Sequence, residues 1–280
     1  MVNIDVNFVI EKVSMFSLRQ AIKEQKMVSM VEKLRKIVPD ISQQESTESE
    51  VFNDFCELRK RSLQAFQSLC MLDVLETFPA GNLTVVDIGD SAGTHMLYLK
   101  NLTEGKFDVN TISVNLDERA IKKIEQRGLK AILSRAEDLD LKSQNIDFYT
   151  SFEMLEHLHN PSIFLHRLAK KGKGKRLIVT MPYLRHSRVG MHSIRRQWNK
   201  KIYAEDEHIF ELSPEDWTLL FAHSGWKVVK EKIYLQYPKK WPGISQLFKY
   251  FWRTADFEGF WGAVLEKDST YSDLYQDWED

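Results

Sequence analysis

The 280-residue chain contains little cysteine, since Cys56 and Cys70 are its only thiols. Both fall in one predicted helix, and the fourteen residues between them span about 21 Å, too far for a disulfide bond. The chain begins without the apolar core of a signal peptide, and no window approaches the roughly 18 apolar residues of a membrane-spanning helix. These absences predict a cytoplasmic protein with reduced cysteines and no transmembrane segment.

Excess charge of either sign is also lacking. The chain has 39 Lys and Arg residues against 40 Asp and Glu residues, which leaves a formal net charge of -1. Its overall charge therefore does not draw it to nucleic acid or to anionic membranes, and any basic surface must be local. A hydrophobic content of 43% is ordinary, and the length suffices for one large α/β domain with additions.

What the sequence does contain is an alternation of strand-like and helix-like segments from residue 83 onward. The strand-like segments are short, apolar and β-branched, and glycines end the helical segments between them. This alternation predicts βαβ units, a largely parallel sheet and helices on both faces. The predicted strands are residues 83–88, 110–115, 130–134, 145–151, 176–181 (stopped by Pro182), 226–235 and 261–267.

The turn after the first predicted strand reads "DIGDSAGTH", residues 87–95. Small residues there let the backbone approach a ligand closely, and the helix that follows offers free N–H groups. A plain connection between a strand and a helix gives the same pattern. Ligands bind beyond the carboxyl ends of parallel strands. The residues that follow the other strands therefore help to decide between a ligand site and a plain connection.

The second and third strands also end in polar residues. Asn115 and Asp117 follow the second strand, where a side chain either binds a ribose hydroxyl or caps the next helix, and for Asp117 the cap is favoured. Glu137 and Asp138 follow the third strand, where they either meet an adenine amino group or face solvent.

Carboxylates and imidazoles cluster after the fourth strand. Glu153, Glu156, His157 and His159 lie within seven residues, and their spacing predicts that Glu153 shares one helical face with Glu156 and His157. Such a set can bind a divalent metal ion or move a proton. Acids near the positive end of a helix dipole are the other interpretation.

In this order, "VVDIGDSAGTH", "ISVNLDERAI", "GLKAILSRAEDLDL", "IDFYTSFEMLEHLHNP" and "RLIVTMP" resemble the class I S-adenosylmethionine-dependent methyltransferases. The resemblance covers roughly residues 80–235 and is closest to the branch whose fourth motif reads like S-x-E-V-L-E-H. It implies a Rossmann-like, seven-stranded, mostly parallel sheet with helices on both faces. It also implies S-adenosylmethionine as the cofactor and S-adenosylhomocysteine as the product.

The resemblance further implies which residues bind this cofactor. Three departures from the family pattern predict weaker binding: Ser91 replaces a glycine, Asn115 replaces an acid that grips the ribose, and Arg135 stands where an acid often contacts adenine. The implied cofactor-binding residues are Asp87, Gly89, Asp90, Ser91, Gly93, Asn115, Leu116, Ala136, Glu137, Ser151, Phe152 and Glu153.

Methyl transfer from a sulfonium needs an aligned nucleophile and, for some acceptors, removal of a proton. His157 and His208 are the candidate bases, and this interpretation assigns no metal ligand. Residues 183–201, after the fifth strand, are rich in arginine and lysine. A basic rim fits a small anionic acceptor, such as a phosphorylated or nucleotide-linked sugar, or less well RNA; a solvated loop is the alternative.

Two other functions stay open. The terminal-ribose 2′-O-methyltransferases of small RNAs carry a similar Glu-x-x-Glu-His run and a later histidine. That resemblance implies a divalent metal ion held by Glu153, Glu156, His157 and His208 against two ribose hydroxyls. In the second alternative, the chain is a cofactor-sensing or scaffold protein that keeps the fold without turnover.

The chain divides into three predicted parts. Residues 1–79 form a helical N-terminal cap, residues 80–237 the cofactor-binding core, and residues 238–280 an aromatic extension that includes the last strand of the sheet. The extension is expected to form a substrate lid, a homodimer surface or a layer over the sheet. A membrane contact through "ISQLFKYFWR" is the weaker interpretation.

Overall fold

The computed structural model describes residues 6–42, 53–140, 145–190, 207–241, 243–255 and 257–276. Its helices are α1 (Val6–Glu24), α2 (Val28–Ile37), α3 (Asp54–Leu75), α4 (Thr94–Leu102), α5 (Glu118–Gln126), α6 (Pro161–Lys171), α7 (Pro214–His223) and α8 (Ile244–Ala255). Its strands are β1 (Gly81–Ile88), β2 (Phe107–Asn115), β3 (Lys130–Leu133), β4 (Phe148–Phe152), β5 (Arg176–Tyr183), β6 (Arg188–Val189), β7 (Phe210–Glu211), β8 (Trp226–Leu235) and β9 (Gly259–Lys267).

Seven of the strands form one sheet in the order β3-β2-β1-β4-β5-β9-β8. The strands from β3 to β5 in this order are parallel to their neighbours, whereas β9 runs antiparallel to both β5 and β8. All five residues of the central strand β4 are buried, as expected where helices cover both faces of a sheet. The predicted Rossmann-like, mostly parallel sheet is confirmed.

The strand order places a crevice at the carboxyl edge of the sheet, between β1 and β4. β1 pairs with β2 on one side and with β4 on the other, so the direction in which successive strands are added reverses at β1. Ligands bind at such a reversal in open α/β sheets. The residues that follow β1, β2 and β4 therefore meet at one edge.

Apolar side chains fill both faces of the sheet in alternation. Val85 packs with α2 and α3, while its neighbour Val86 packs with α6 and α7. The N-terminal helices lie close on the sheet, because a Cβ on Gly262 of β9 would lie 3.0 Å from the ring of Phe66. Helix α3 is therefore part of the layer that supports the crevice.

Strand β5 continues through Pro182, so the prediction that Pro182 stops it is wrong. Pairing with β4 ends at Thr180, and Pro182 then has only β9 as a neighbour. A proline is tolerated in a strand at such an edge, because its missing N–H removes no bond to a second neighbour. The sequence analysis also missed the short strands β6 and β7, which pair with each other.

The predicted cap at Asp117 is confirmed, because its side chain accepts the N–H of Arg119 at the start of α5. In the same way, the hydroxyl of Ser213 caps α7 by accepting the N–H of Asp216 over 3.3 Å. Cys56 and Cys70 both lie on α3 as free thiols. Among the described helices, none is long and apolar enough to cross a membrane.

Candidate active site

The loop between β1 and α4 depends on two glycines with positive φ angles. Gly89 has a φ of 93°, and Gly93, the N-cap of α4, has a φ of 74°. A Cβ on Gly89 would lie 2.6 Å from Cγ of Met154, which follows β4. A Cβ on Gly93 would likewise lie 2.6 Å from Cδ1 of Leu129, so both positions require glycine because side chains of the chain itself pack against them. The loop thereby sets the start of α4, with its N–H groups, at the crevice. This geometry fits a cofactor that contacts the backbone.

Asp87, at the end of β1, is buried and held from two sides. The hydroxyl of Thr150 donates to its Oδ1 over 2.8 Å, and Nδ1 of His95 lies 3.1 Å from its Oδ2. The other ring nitrogen of His95 lies 2.9 Å from Oε1 of Gln67, whose amide donates to the hydroxyl of Thr180 over 3.0 Å. Because both partners accept, a doubly protonated ring satisfies both contacts. Burial opposes that charge, but the hydrogen bond and charge of Asp87 raise the pKa of His95.

Asp90 is a second buried carboxylate, and it organises the loop from inside. One oxygen accepts the backbone N–H groups of Gly93 over 2.8 Å and of Ala92 over 3.3 Å. The other accepts the hydroxyl of Ser113 over 2.7 Å. Burial and the neighbouring charge of Asp87 raise the pKa of Asp90 to about 6. Asp90 thus supports the conformation of the loop through contacts within the chain.

Ser91 and Asn115 differ in what surrounds them. Ser91 is exposed at the tip of the loop. The amide of Asn115 donates to the carbonyl of Asp90 over 3.1 Å, and its oxygen accepts the N–H of Asp117 over 2.8 Å. Asn115 therefore braces the loop against the next turn, and the adjacent Leu116 is 52% exposed. Ribose binding by Asn115 stays a prediction.

The predicted cofactor-binding residues after β3 and at the end of β4 lie in two different surroundings. Ala136 and Glu137 lie in a short 3₁₀ turn, and a cavity of about 350 Å³ separates this turn from α6. None of the residues of the β1 loop lines this cavity, so it does not coincide with the crevice. Ser151 and Phe152 are buried at the end of β4, and the ring of Phe152 meets that of His95 edge-on at 4.9 Å.

Glu153 does not share a helical face with Glu156 and His157, so that prediction is wrong. Its φ is 50°, and the only helical residues here are the 3₁₀ turn Leu155–His157. The backbone N–H of Glu153 donates to the carbonyl of Thr180 over 2.9 Å, which holds Glu153 against β5 and outside the turn. A positive φ at a non-glycine residue is strained, and such strain clusters at functional sites.

Glu156, His157 and His208 come together beside this turn. Their ligand atoms lie within 4.8 Å of one another. Three ligands that each lie about 2.1 Å from one ion are about 3.4–3.6 Å apart, so shifts of about 1 Å would let these side chains share an ion. Glu156 is fully buried, and within the described chain neither carboxylate oxygen accepts a hydrogen bond from another residue. Burial and the charges of Glu153 and Glu211 raise its pKa well above the usual range.

Hydrogen bonds on their far sides orient both histidines. Nδ1 of His157 lies 2.9 Å from the carbonyl of Glu207, which can only accept, so Nδ1 carries the proton. Nδ1 of His208 lies 3.4 Å from a carboxylate oxygen of Glu211, which also binds Arg188. In each neutral ring the lone pair is then on Nε2. Histidines that bind metals have this arrangement, with a carbonyl or carboxylate behind the ring.

The small ladder of β6 and β7 brings His208 to this place from a distant part of the sequence. The N–H of Gly190 donates to the carbonyl of Ile209 over 2.9 Å, and the N–H of Ile209 donates to the carbonyl of Glu156 over 2.7 Å. A Cβ on Gly190 would lie 1.5 Å from the carbonyl oxygen of His208, so only glycine fits there. The backbone therefore fixes how close His208 lies to Glu156.

The sequence matches the family model described as a methyltransferase domain over residues 34–231, more than two thirds of the chain. The chain belongs to this methyltransferase family. The enzyme class expected from the strand-end motifs is thereby confirmed, while membership of the branch with the S-x-E-V-L-E-H motif stays a prediction. No curated protein matches the sequence.

Solved structures share the fold of this methyltransferase. Geranyl diphosphate C-methyltransferase from Streptomyces coelicolor A3(2), determined with Mg²⁺, geranyl diphosphate and S-adenosylhomocysteine, is 11% identical with a TM-score of 0.55, over 85% of this chain and 98% of that one. 1,6-Didemethyltoxoflavin-N1-methyltransferase from Burkholderia thailandensis, determined with 1,6-didemethyltoxoflavin and S-adenosylhomocysteine, is 14% identical with a TM-score of 0.50, over 89% and 88%. Both hold the product of the cofactor expected here.

The basic rim of the methyltransferase lies largely outside the described residues, which omit 191–206. Within the described part, Arg185 is exposed, whereas Arg188 pairs with the buried Glu211. Arg188 therefore supports His208 through Glu211. The predicted contact of the rim with an anionic acceptor stays a prediction.

Four residues of the polar chain around Asp87 were not predicted from the sequence of this methyltransferase, and Thr150 is one of them. His95 carried one usable signal, since it lies two residues after Gly93 in the first turn of a helix at a ligand-binding edge. Gln67 and Thr180 carried none, because they reach His95 only through the packing of α3 and β5 on the crevice.

Proposed function

We propose that this methyltransferase transfers the methyl group of S-adenosylmethionine to a hydroxyl of a small anionic acceptor, such as a phosphorylated or nucleotide-linked sugar, with the help of one divalent metal ion. The observation that carries the proposal is the convergence of Glu156, His157 and His208 just after β4. A buried carboxylate that receives no hydrogen bond from another described residue is costly by itself. Two imidazoles beside it complete a common ligand set for divalent metals.

The cofactor site of this proposal is the crevice between β1 and β4. S-adenosylmethionine supplies an activated methyl group on a sulfonium when it is bound. Gly89 and Gly93 give the loop the positive φ angles that set its shape, and Thr150 and His95 hold the carboxylate of Asp87 in one orientation. Such fixed groups favour in-line displacement, because the reaction depends mainly on how donor and acceptor are aligned.

The metal site of this proposal consists of Glu156, His157 and His208. These three side chains would hold a divalent ion, which would supply positive charge beside the acceptor hydroxyl and so make an oxygen nucleophile more favourable at neutral pH. Two imidazoles and one carboxylate suit Mn²⁺ or Zn²⁺ better than Mg²⁺, which prefers oxygen ligands. In this role the two histidines, candidate bases from the sequence, act as ligands whose tautomers are set by the Glu207 carbonyl and Glu211.

A small anionic acceptor is compatible with the fold and with such a metal. The geranyl diphosphate enzyme shows that this fold accommodates a diphosphate together with Mg²⁺. Sugars offer neighbouring hydroxyls that can chelate one ion, and a phosphate adds the charge that a basic rim attracts. These features together support the phosphorylated or nucleotide-linked sugar.

A second candidate function uses the same ligands. In the terminal-ribose 2′-O-methyltransferases of small RNAs, the resemblance implies four ligands, and three of the corresponding residues, Glu156, His157 and His208, converge here. Glu153 is not part of that group, although its charge acts on Glu156. RNA therefore stays the alternative acceptor.

The experiment combines binding and turnover on matched variants. Calorimetry would titrate Mn²⁺, Zn²⁺ and S-adenosylhomocysteine into the wild type, into His208→Ala and into His159→Ala, an exposed histidine two residues after His157. We expect one metal ion per chain, a loss of metal affinity of about 100-fold in His208→Ala and none in His159→Ala. Labelled methyl transfer would then be measured on nucleotide sugars, sugar phosphates and short RNAs.

Each outcome separates the candidates. Metal-dependent methylation of a sugar supports the proposal, and methylation of RNA alone assigns the second function. Turnover that is the same with chelator as with metal contradicts the metal site and leaves the cofactor site intact. Absence of S-adenosylhomocysteine binding contradicts the enzyme and favours a scaffold.

A further inference from the structure

An apolar surface, here called the α1–α8 face, is exposed where these two helices adjoin. On α8 the side chains of Leu247 and Tyr250 are 72% and 71% exposed. On α1 the ring of Phe16 is 44% exposed and packs against Phe248 at 6.2 Å and Trp241 at 5.8 Å, which joins the two helices into one surface. The exposed apolar members are Ile10, Val13, Phe16, Ile244, Leu247 and Tyr250.

The charges around the α1–α8 face have one predominant sign. Residues 236–255 contain Lys239, Lys240, Lys249 and Arg253 and no aspartate or glutamate, although the whole chain has a net charge of -1. Arg253 pairs with Glu258, and Glu24 of α1 accepts the backbone N–H groups of the two adjacent lysines. The lysine side chains thus leave a local positive charge beside exposed apolar groups.

We propose that the α1–α8 face docks on an anionic lipid surface. Exposed leucine and tyrosine beside lysines is the composition of helices that lie in a membrane interface, with apolar side chains in the headgroup region and ammonium groups on lipid phosphates. Trp241 and the long stems of the lysines suit the same boundary, because each has an apolar body and a polar end. This inference does not depend on the acceptor or on the metal.

Docking in this way orients the catalytic edge of the sheet. Helix α8 connects the end of β8 to the start of β9, and Gly259 of β9 pairs with both Leu235 and Tyr183. Tyr183 is the carboxyl end of β5, so α8 lies at the same edge as the crevice between β1 and β4. A bilayer under the α1–α8 face is then next to the side from which acceptors reach the crevice.

Sedimentation with vesicles tests the inference. The full chain would be mixed with vesicles of phosphatidylcholine alone and with vesicles that also contain phosphatidylglycerol, at low and high salt. Leu247→Asp has a matched control in Leu274→Asp, because both leucines are 72% exposed and Leu274 lies in the 3₁₀ turn Ser272–Leu274. We expect binding to anionic vesicles that weakens at high salt, a loss of about tenfold in Leu247→Asp and wild-type binding in Leu274→Asp.

Other results overturn the inference. They are failure of the wild type to bind anionic vesicles, and an equal loss in both aspartate variants. Sedimentation velocity without lipid tests whether a second copy of the chain binds the α1–α8 face instead. If the wild type is a dimer that Leu247→Asp dissociates, and if it does not bind vesicles, the face is a dimer interface. Melting curves of both variants exclude misfolding as the cause of a loss.

Discussion

Buried carboxyl groups at the same edge of the sheet differ in the hydrogen bonds that they receive. Asp87 and Asp90 receive hydrogen bonds from hydroxyls, backbone N–H groups and a histidine. Glu156 receives none from another residue within the described chain, and two histidines lie beside it. A self-satisfied network stabilises a shape that is present before a ligand binds, whereas an unsatisfied group needs a ligand to offset its burial.

We expect the largest effect from Glu156→Leu, which removes the carboxyl group that receives no hydrogen bond from another described residue. In metal-free protein the variant removes a buried carboxyl group that receives no hydrogen bond from another described residue, so the free energy of unfolding rises by about 1–3 kcal/mol. Metal-dependent methyl transfer falls by at least about 100-fold, since one of three ligands is gone. Urea unfolding in chelator and a methyl-transfer assay measure the two effects.

Glu156→Gln is the matched control for that variant. It keeps the shape and a polar group but removes the charge, so transfer falls while the gain in stability is smaller. A Glu156→Leu protein that is less stable than the wild type would mean that Glu156 has stabilising partners that the described residues do not include.

Thr150→Val tests the carboxylates that are satisfied by hydrogen bonds. The substitution keeps the shape of a fully buried side chain and removes the hydroxyl that donates to Asp87. A buried carboxylate oxygen loses its partner, and the free energy of unfolding falls by about 1–3 kcal/mol. Thr254→Val, at an exposed position of α8, controls for the chemistry of the change and should stay within about 0.5 kcal/mol. Equal effects in both variants would contradict a special role for the Asp87 network.

More of the network around Asp87 and Asp90 could be predicted from the sequence than of the group around Glu156. The glycines at 89 and 93, Asp87 and the cap at Asp117 are local consequences of a strand that ends and a helix that begins, and local patterns record them. His95 belongs to the same turn. Gln67 arrives from α3 through packing of the N-terminal layer, which no spacing in the sequence reports.

The unsatisfied group depends on contacts between distant segments. The sequence placed Glu153, Glu156 and His157 on one helix, but the N–H of Glu153 pairs with Thr180 of β5, so only a short turn remains. His208 reaches Glu156 through the ladder of β6 and β7, and two-residue strands leave no periodic pattern. The residue types could be predicted, whereas the geometry that makes them a metal-ligand set could not.

Asp90→Asn tests the effect of charge alone, because Asp90 accepts several hydrogen bonds and its ionised form is nevertheless unfavourable in the folded protein. Its pKa of about 6 in the folded state exceeds the unfolded value near 3.8. Stability from this group is therefore full below about pH 4 and is lost as the pH rises through 6. Asparagine accepts the same N–H groups and donates to the hydroxyl of Ser113, but it does not ionise. We expect the variant to gain about 1 kcal/mol or more on the wild type between pH 4 and 7.

Urea unfolding of both proteins across this pH range gives the difference, since titrating groups distant from position 90 cancel and only its neighbours Asp87 and His95 respond to the lost charge. Asp138→Asn, at an exposed position, is the control and should show no such rise. A constant difference between Asp90→Asn and the wild type from pH 4 to 7 would contradict the raised pKa.

Ser91→Gly tests the loop itself and carries the smallest expected effect. Ser91 is exposed at the tip of the loop, and the conformation of the loop is fixed by Asp90, Gly89 and Gly93. Restoring the glycine that the family pattern has at this position should leave the dissociation constant of S-adenosylhomocysteine equal or lower, by less than about threefold. Because a change below about 0.7 kcal/mol corresponds to that factor, calorimetry on one protein preparation resolves it. A clear loss of affinity would show that the hydroxyl of Ser91 contacts the cofactor, and the loop would then bind through a side chain as well as through its backbone.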